Sequence, residues 1–366
     1  MQKYFLACIY TLVVLLGGIF VVHAETSTPS VVSDAYYHGT VMTIVRTGTD
    51  ETGDPFQDVR VRLDSGSLKG QEKEIRVVDS ADQKSRTMSL GDKVIVLENT
   101  GLDGKPNFAV MDFYRFPRII IVLLLFFFII ITVVGRRRGI LSILALLWSV
   151  AVLMFFIVPR IAQGGSPFLI SCVGAFLIVV VSIVLAHGFN RRTIIASVGT
   201  VMTLLLSVVI AYVSIKFTRS FGMGTEDAQF LLGPLGNVNL SGILLAGIII
   251  GTLGVLDDVT TGQAAAVEEI YEANKSLSVG ELYKRGMSVG KEHIIALVNT
   301  LVLAYAGASL PVLILLSIYS QPIWVTLSSE MIVEEIVRTM SGSVSLILAV
   351  PITTYLAALV IGAKEK

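Results

Sequence analysis

Residues 119–135 read IIIVLLLFFFIIITVVG, and the chain continues directly into Arg136-Arg-Arg138. Seventeen consecutive residues without a charge, followed by three arginines, are typical of a helix that crosses a membrane and ends at its aqueous boundary. Six further stretches lack Asp, Glu, Lys and Arg in the same way. They are residues 139–159, 161–190, 193–215, 228–256, 293–329 and 339–363.

These seven stretches predict a membrane all-α bundle of seven helices, because unpaired backbone amides are too costly in lipid and the stretches are too long for barrel strands. The composition agrees, since 15% of the residues are charged, against about 25% in soluble domains. Lys plus Arg and Asp plus Glu number 28 each, so no net charge favours a nucleic-acid partner. The lipid bilayer is the expected partner.

The first 116 residues have two parts. Residues 1–24 carry Lys3, an uncharged apolar run and Val22-His-Ala24, a pattern typical of a signal peptide. The apolar run is also long enough for an uncleaved anchor helix, so cleavage and retention both stay open. In either case the sequence predicts that residues 25–116, which hold 26 of the charged side chains, are exported.

The exported residues alternate between apolar and polar side chains, as strands do. The alternation covers residues 39–46, 58–64, 73–79 and 92–98, with a weaker fifth stretch at 107–114. Five short strands predict a small all-β domain, barrel-like or OB-like. It has no stripe of basic and aromatic residues on which bases could stack, and we therefore expect no nucleic-acid binding.

Basic residues set the expected orientation of the helices. With residues 25–116 outside the cytoplasm, the inner loops hold eleven Lys and Arg residues and the outer loops hold four. This bias agrees with the export signal and predicts that a helical segment at 257–292 and the C-terminus are cytoplasmic. Within that segment, Ser278-Val-Gly-Glu281 has the form of a capping box that opens a helix. The helical domain would then be residues 117–366. Four acidic residues are expected to face water on amphipathic helices: Glu268, Glu269, Glu334 and Glu335.

Two adjacent carboxyls, Asp257 and Asp258, directly follow the fifth uncharged stretch. A carboxylate near hydrocarbon is costly unless it is solvated, paired or protonated. With Thr260, Thr261 and Gln263 the pair forms a cluster of oxygen ligands that could bind a cation, a proton or a hydrogen-bonded solute. Which metal, if any, would bind is unknown. The alternative is that Asp258 or Thr261 caps a cytoplasmic helix that begins near Gln263.

Polar and small residues also occur inside the predicted spans. Asn299 lies in the middle of one span, where its expected role is a hydrogen bond between helices or the orientation of a solute. Small residues let helix backbones approach closely. Close packing is therefore predicted at four glycines: Gly247, Gly251, Gly254 and Gly307.

Two blocks of the sequence carry a family resemblance. GTLGVLDDVTTGQA at 251–264 and GKEHIIALVNTLVLAYAGASLP at 290–311 resemble the two signature blocks of the YibE/F family. The resemblance extends over about residues 39–363 and implies a bacterial multi-pass protein of the cytoplasmic (inner) membrane, described as a permease and without a settled substrate. It adds weight to the polar residues within the blocks: Asp257, Asp258, Thr260, Gln263, Asn299 and Tyr305.

The sequence therefore predicts a permease-like protein that moves an unidentified small solute or ion. The alternative is a non-transporting module whose exported domain binds an envelope protein, and whose helices anchor it or relay a signal. A homo-oligomer is compatible with both. The sequence has no zinc-protease helix, nucleophile elbow or phosphate-binding loop, and we expect neither a cofactor nor an enzymatic activity.

Overall fold

The computed structural model describes residues 35–50, 53–78, 87–100, 106–115, 118–236, 238–318 and 322–362. The predicted signal peptide or anchor, residues 1–24, lies outside the described residues. The chain divides into two compact units, with the boundary between residues 127 and 128. The first unit contains the strands, and the second contains the long helices.

Five antiparallel strands form the first unit, as predicted. They are β1 (Ala35–Thr49), β2 (Pro55–Leu63), β3 (Glu72–Val78), β4 (Lys93–Thr100) and β5 (Pro106–Phe113). The strand order is β3-β2-β1-β4-β5, because the long β1 pairs with both β2 and β4. The two edge strands approach each other, since the Lys73 ammonium of β3 lies 4.8 Å from the centre of the Phe108 ring of β5. The sheet therefore curls into a half-barrel.

The core of the strand unit consists of alternate apolar side chains. Val59, Val61 and Val94 are completely buried, because successive side chains of a strand point to opposite faces. Asp58, the residue before Val59 in β2, accepts two hydrogen bonds from the Arg76 guanidinium, at 2.7 and 3.0 Å. This ion pair lowers the pKa of Asp58 below its ordinary value.

Helices joined by turns form the second unit. They are α1 (Arg118–Val152), α2 (Val158–Ala162), α3 (Pro167–His187), α4 (Arg191–Thr218), α5 (Glu226–Phe230), α6 (Leu232–Leu235), α7 (Leu240–Ala273), α8 (Val279–Ala308), α9 (Leu310–Ile318), α10 (Ile323–Leu327) and α11 (Glu330–Gly362). A π-helical turn, Leu153–Ile157, joins α1 to α2. Among the described residues, six segments are long and apolar enough to cross a membrane: 119–162, 167–187, 191–218, 240–273, 279–308 and 330–362. The helical membrane class agrees with the prediction, whereas the count of seven spans stays a prediction.

The first of these segments contains a sharp reversal. Arg136 has non-helical backbone angles, φ 49° and ψ −130°. A Cβ added at Gly139 would lie 2.2 Å from the carbonyl oxygen of Ile131, although eight residues of a straight helix cover about 12 Å. The chain therefore folds back near Arg136, between the predicted spans 119–135 and 139–159.

Two other predicted spans have different limits in the structure. Residues 228–256 were expected to form one span, but α7 begins only at Leu240, where the Asn239 side chain accepts a hydrogen bond from the Gly242 backbone. The span expected from residue 293 belongs to α8, which begins at Val279. The side chains of Ser278 and Glu281 form the predicted capping box there.

The interior of the helical unit lies around α7, which contacts α3, α4, α8 and α11. Leu253, Leu256 and Val259 of α7 are buried in this interior. Small residues allow the other helices to approach one another closely. A Cβ at Gly199 of α4, for example, would lie 2.7 Å from the Thr353 hydroxyl of α11.

Candidate functional site

The predicted site lies in the middle of α7, which runs without interruption through Asp257 and Asp258. The Thr261 hydroxyl donates a hydrogen bond to the Asp257 carbonyl oxygen at 2.8 Å, an arrangement common for threonine inside a helix. The alternative that Asp258 or Thr261 caps a helix starting near Gln263 is therefore wrong, because the helix already exists before these residues. Residues 257–273 continue α7 instead of starting a new segment.

Asp257 is a half-buried carboxyl within a helix of membrane-spanning length. At 1.5 Å per residue it lies about 25 Å from the first residue of α7. Its Oδ1 is buried and has no hydrogen-bond partner among the described residues. The neighbouring Thr260 and Thr261 hydroxyls donate to its backbone carbonyl and not to its carboxyl. Ionisable groups inside membrane helices are costly, and they commonly mark ion or proton pathways. Asp257 therefore has the surroundings expected of a functional carboxyl.

Asp258 lies on the exposed side of α7, together with three of the predicted packing glycines. Gly247, Gly251, Gly254 and Asp258 follow one another at spacings of four, three and four residues, and all four are exposed. Within the described chain, and apart from the sequence neighbours and the nearby backbone of the same helix, no atom lies within 4 Å of a Cβ built at Gly247, Gly254 or, on α8, Gly307. These glycines are open surfaces of the chain. We call the α7 set, Gly247, Gly251 and Gly254, the glycine stripe.

Helix α8 approaches the open side of α7 at two points. The Tyr305 hydroxyl lies 3.7 Å from a Cβ built at Gly251, and His293 Cε1 lies 3.7 Å from one built at Gly262. At 100° per residue, Asn299 points about 180° away from the middle of this contact face, and it is exposed. The structure therefore brings Tyr305 to α7 and leaves Asn299 on the opposite side of α8.

Thr260 and Gln263 lie on the buried side of α7. The Gln263 amide donates hydrogen bonds to the Gly286 carbonyl of α8 at 2.9 Å and to the Thr354 hydroxyl of α11 at 2.7 Å. The Thr260 and Thr200 hydroxyls lie 2.6 Å apart and join α7 to α4. Both predicted site residues therefore hold helices together, and neither faces the glycine stripe.

Glu330 and Glu334 of α11 form a second pair of carboxyls, which the sequence analysis did not identify as a pair. Glu334 of α11 is 4% exposed and accepts a hydrogen bond from the Gly224 backbone at 3.2 Å. Glu330, one turn earlier, accepts from the Gly222 backbone at 3.0 Å. The prediction that Glu334 faces water is wrong, because the loop before α5 packs its amides against it. The i, i+4 spacing was the only sequence feature that could have indicated a shared face.

A cavity of about 360 Å³ adjoins these groups. Tyr305 of α8 and Ser309, the residue that follows α8, line it together with Glu334 and Arg338 of α11. Tyr305 also approaches Gly251, so its phenol connects the cavity with the glycine stripe.

The carboxyls of the site do not form a multidentate metal centre. Among the described residues, no group of three or more His, Cys, Asp or Glu side chains could hold a metal ion. Asp257 and Asp258 point about 100° apart because they are neighbours in a helix. They therefore act as two separate carboxyls.

The helical unit is also the part of the chain with known relatives. The family described as YibE/F-like protein matches residues 123–363, which is more than half of the chain. The protein belongs to the YibE/F-like family. The match includes both quoted blocks of this YibE/F-like protein and begins after the last strand, β5, later than the expected resemblance from residue 39. No curated protein and no solved structure matches the chain.

Proposed function

We propose that this YibE/F-like protein is a permease-like protein that moves a small solute or ion, with Asp257 as the carboxyl that binds a proton or a cation. The observation that carries the proposal is the Asp257 Oδ1, which is buried and without a partner in the middle of a membrane-length helix. A carboxyl in these surroundings gains a partner when it takes up a proton or a cation. The family membership and the apolar helices support a role within the membrane.

The open side of α7 supports a route to this carboxyl. The exposed glycine stripe has no side chains that would narrow the space beside Asp258. Tyr305 connects the stripe to the cavity beside Glu334. A hydrated ion could therefore be passed between oxygen atoms of Tyr305, Asp258 and Asp257 when the helices rearrange. In this proposal Thr260 and Gln263 keep α7 in place.

The experiment uses full-length protein in liposomes. Proton entry is followed with an enclosed pH-sensitive dye, and Na⁺ and Rb⁺ uptake are followed with radioactive tracers. We expect Asp257→Asn to lower the flux of the transported ion at least tenfold and the double variant Asp257→Asn, Asp258→Asn to abolish it. The control is Glu269→Gln, since Glu269 lies on the same helix with 76% of its side chain exposed; its flux should match that of the unmodified protein.

Two outcomes would contradict the proposal. The first is unchanged flux in a double variant that inserts and elutes from gel filtration like the unmodified protein. The second is the absence of flux of all three ions through the unmodified protein.

We also propose the inner membrane as the location, with residues 25–116 extracytoplasmic and the C-terminus cytoplasmic. Residues predicted on the inner side share one cavity, which Arg138 and Arg192 line. Residues predicted on the outer side share another, which Phe168, Lys216 and Asn239 line. This grouping supports the alternating order of the spans. A reporter fused after residue 275 should stay in the cytoplasm, and an exported reporter there would overturn the orientation.

One observation favours the alternative function, binding of an envelope protein by the strand unit. Met42, Ile44 and Val45 of β1 are 37–47% exposed, and neighbouring exposed apolar side chains are common at protein interfaces. A photo-cross-linking residue at position 44 of the full-length protein should then yield one defined adduct, and Val45→Asp should abolish it. Ion flux that persists after removal of residues 25–116 would separate this role from transport.

A further inference from the structure

Four segments of the helical unit meet around a polar cavity of about 270 Å³. Arg138, His187, Asn190, Arg192 and Glu268 line it. Arg138 follows the reversal of α1, His187 ends α3, Asn190 and Arg192 begin α4, and Glu268 lies near the end of α7. None of these residues belongs to the transport site proposed above.

Hydrogen bonds fix one wall of this cavity. The Arg192 Nε donates to Glu268 Oε2 at 2.5 Å, and its Nη2 lies 3.6 Å from Glu269 Oε1. The Asn190 side chain accepts a hydrogen bond from the Thr193 backbone at 2.9 Å and caps α4. The Glu268 carboxylate, the one acidic group in the lining, is therefore occupied by Arg192. The remaining N–H groups of the guanidinium keep a fixed direction because Glu268 holds it.

The rest of the lining carries a positive charge that is not compensated. Arg138 is exposed and forms no ion pair with any described residue. His187, also exposed, adds ring nitrogens that can donate hydrogen bonds. The cavity thus offers donors from three basic side chains, all of them accessible from outside. A tetrahedral oxyanion fits this set, because arginine forks bind phosphate oxygens in pairs.

We propose that this cavity binds a phosphate oxyanion, presented by the headgroup of an anionic phospholipid. It lies where α3 ends and α4 begins, at the level where the headgroups of a bilayer surround membrane helices. Ile140 and Phe189, within two residues of the lining residues Arg138 and Asn190, are 49% and 45% exposed and provide apolar surface for the acyl chains. Basic pockets between membrane helices bind anionic headgroups in this way. The proposal does not depend on transport.

The test is native mass spectrometry of the full-length protein in a non-ionic detergent. The protein is titrated with dioleoylphosphatidylglycerol, with dioleoylphosphatidylcholine as the zwitterionic comparison. We expect the protein to retain phosphatidylglycerol and not phosphatidylcholine. Arg138→Gln should weaken phosphatidylglycerol binding roughly tenfold, the effect of one lost charge-assisted hydrogen bond. Arg137→Gln is the matched control, since Arg137 is exposed and does not line the cavity; its binding should stay within about twofold of the unmodified protein.

Inorganic phosphate separates the two sources of the oxyanion. If it displaces phosphatidylglycerol from the unmodified protein, phosphate oxygens are what the cavity recognises, and if only the lipid binds, the acyl chains contribute as well. His187→Gln gives a second measurement at the same cavity and should weaken phosphatidylglycerol binding severalfold. Equal retention of the two lipids, or equal losses in Arg138→Gln and Arg137→Gln, would overturn the proposal.

Discussion

Gln263 and Asp257 lie six residues apart on α7 in contrasting surroundings. Gln263 is fully buried and donates hydrogen bonds to both α8 and α11. Asp257 is half-buried, and its Oδ1 has no partner. A buried polar group with partners stabilises a fold, whereas one without partners costs free energy. One part of α7 therefore holds the bundle together, and another part carries a cost that function would explain.

Glycines differ between the same two regions. A Cβ at Gly290 of α8 would lie 2.3 Å from Val350 Cγ1 and 3.0 Å from the Gln263 Nε2. Apart from the nearby residues of α7 itself, no atom of the described chain lies within 4 Å of a Cβ at Gly247 or Gly254. Glycine thus permits close contact at the Gln263 junction, while the glycine stripe stays open.

The largest effect is expected from Gln263→Ala. This change removes two buried hydrogen bonds and leaves a cavity where three helices meet, and we expect a loss of about 2–4 kcal/mol in the free energy of unfolding. Asp257→Asn, on the same helix, should leave it unchanged or raise it, because no hydrogen bond to Oδ1 is lost and a neutral amide replaces a buried carboxyl that has no partner among the described residues. Chemical unfolding in detergent micelles measures both. Equal losses in the two variants would remove the contrast between the two regions.

A smaller effect is expected from Gly290→Ala. The added methyl group must displace Val350 or Gln263, which should cost about 1–3 kcal/mol. Gly280→Ala is the control on the same helix, since its Cβ meets nothing within 4 Å, and Gly254→Ala tests the glycine stripe. In both variants the free energy of unfolding should be unchanged or rise by up to about 1 kcal/mol, because alanine has the higher helix propensity. A clear loss at Gly254 in detergent would show that a second chain or another helix covers the stripe.

The smallest effect is expected at a third carboxyl, Asp58. Unlike Asp257, it has a charged partner, Arg76. The Arg76 guanidinium holds the pKa of Asp58 below its ordinary value, so the pair stabilises the sheet at neutral pH. This contribution is lost as the pH falls below about 4 and Asp58 takes up a proton. The ratio of hydrogen-exchange rates between Asp58→Asn and the unmodified protein, measured on β2 and β3 peptides, should exceed one at pH 6. It should approach one on acidification, and a ratio independent of pH would contradict this role.

Much of the fold could be predicted because its causes are local. Uncharged stretches long enough to cross a bilayer overlap the long helices, although 228–256 and 293–329 extend beyond α7 and α8. Period-two alternation overlaps all five strands. The capping box of Ser278 and Glu281 was predicted in the same way, since both partners lie within one turn.

Features that depend on distant partners could not be predicted. Asp258 and Thr261 are as suitable for a helix cap as for a helix interior, and only the continuity of α7 decides between them. Small residues in the sequence indicate that a helix can be approached closely, but they do not identify the helix that approaches. The glycine stripe was therefore expected to be packed, although it is open in the structure. Glu334 is bound by a backbone amide 110 residues earlier in the chain. Asn299 was expected to contribute to the same site as the Asp pair, but it lies on the side of α8 that faces away from α7.

The unbroken course of α7 has a mechanical consequence. Its 34 residues form a rod about 51 Å long, which exceeds the hydrocarbon thickness of about 30 Å. Asp257 lies near the midpoint of this rod. A tilt of about 10° around that point would move the two ends by about 4 Å in opposite directions. A change of charge at Asp257 would therefore act at the pivot of a lever whose ends reach both surfaces of the membrane.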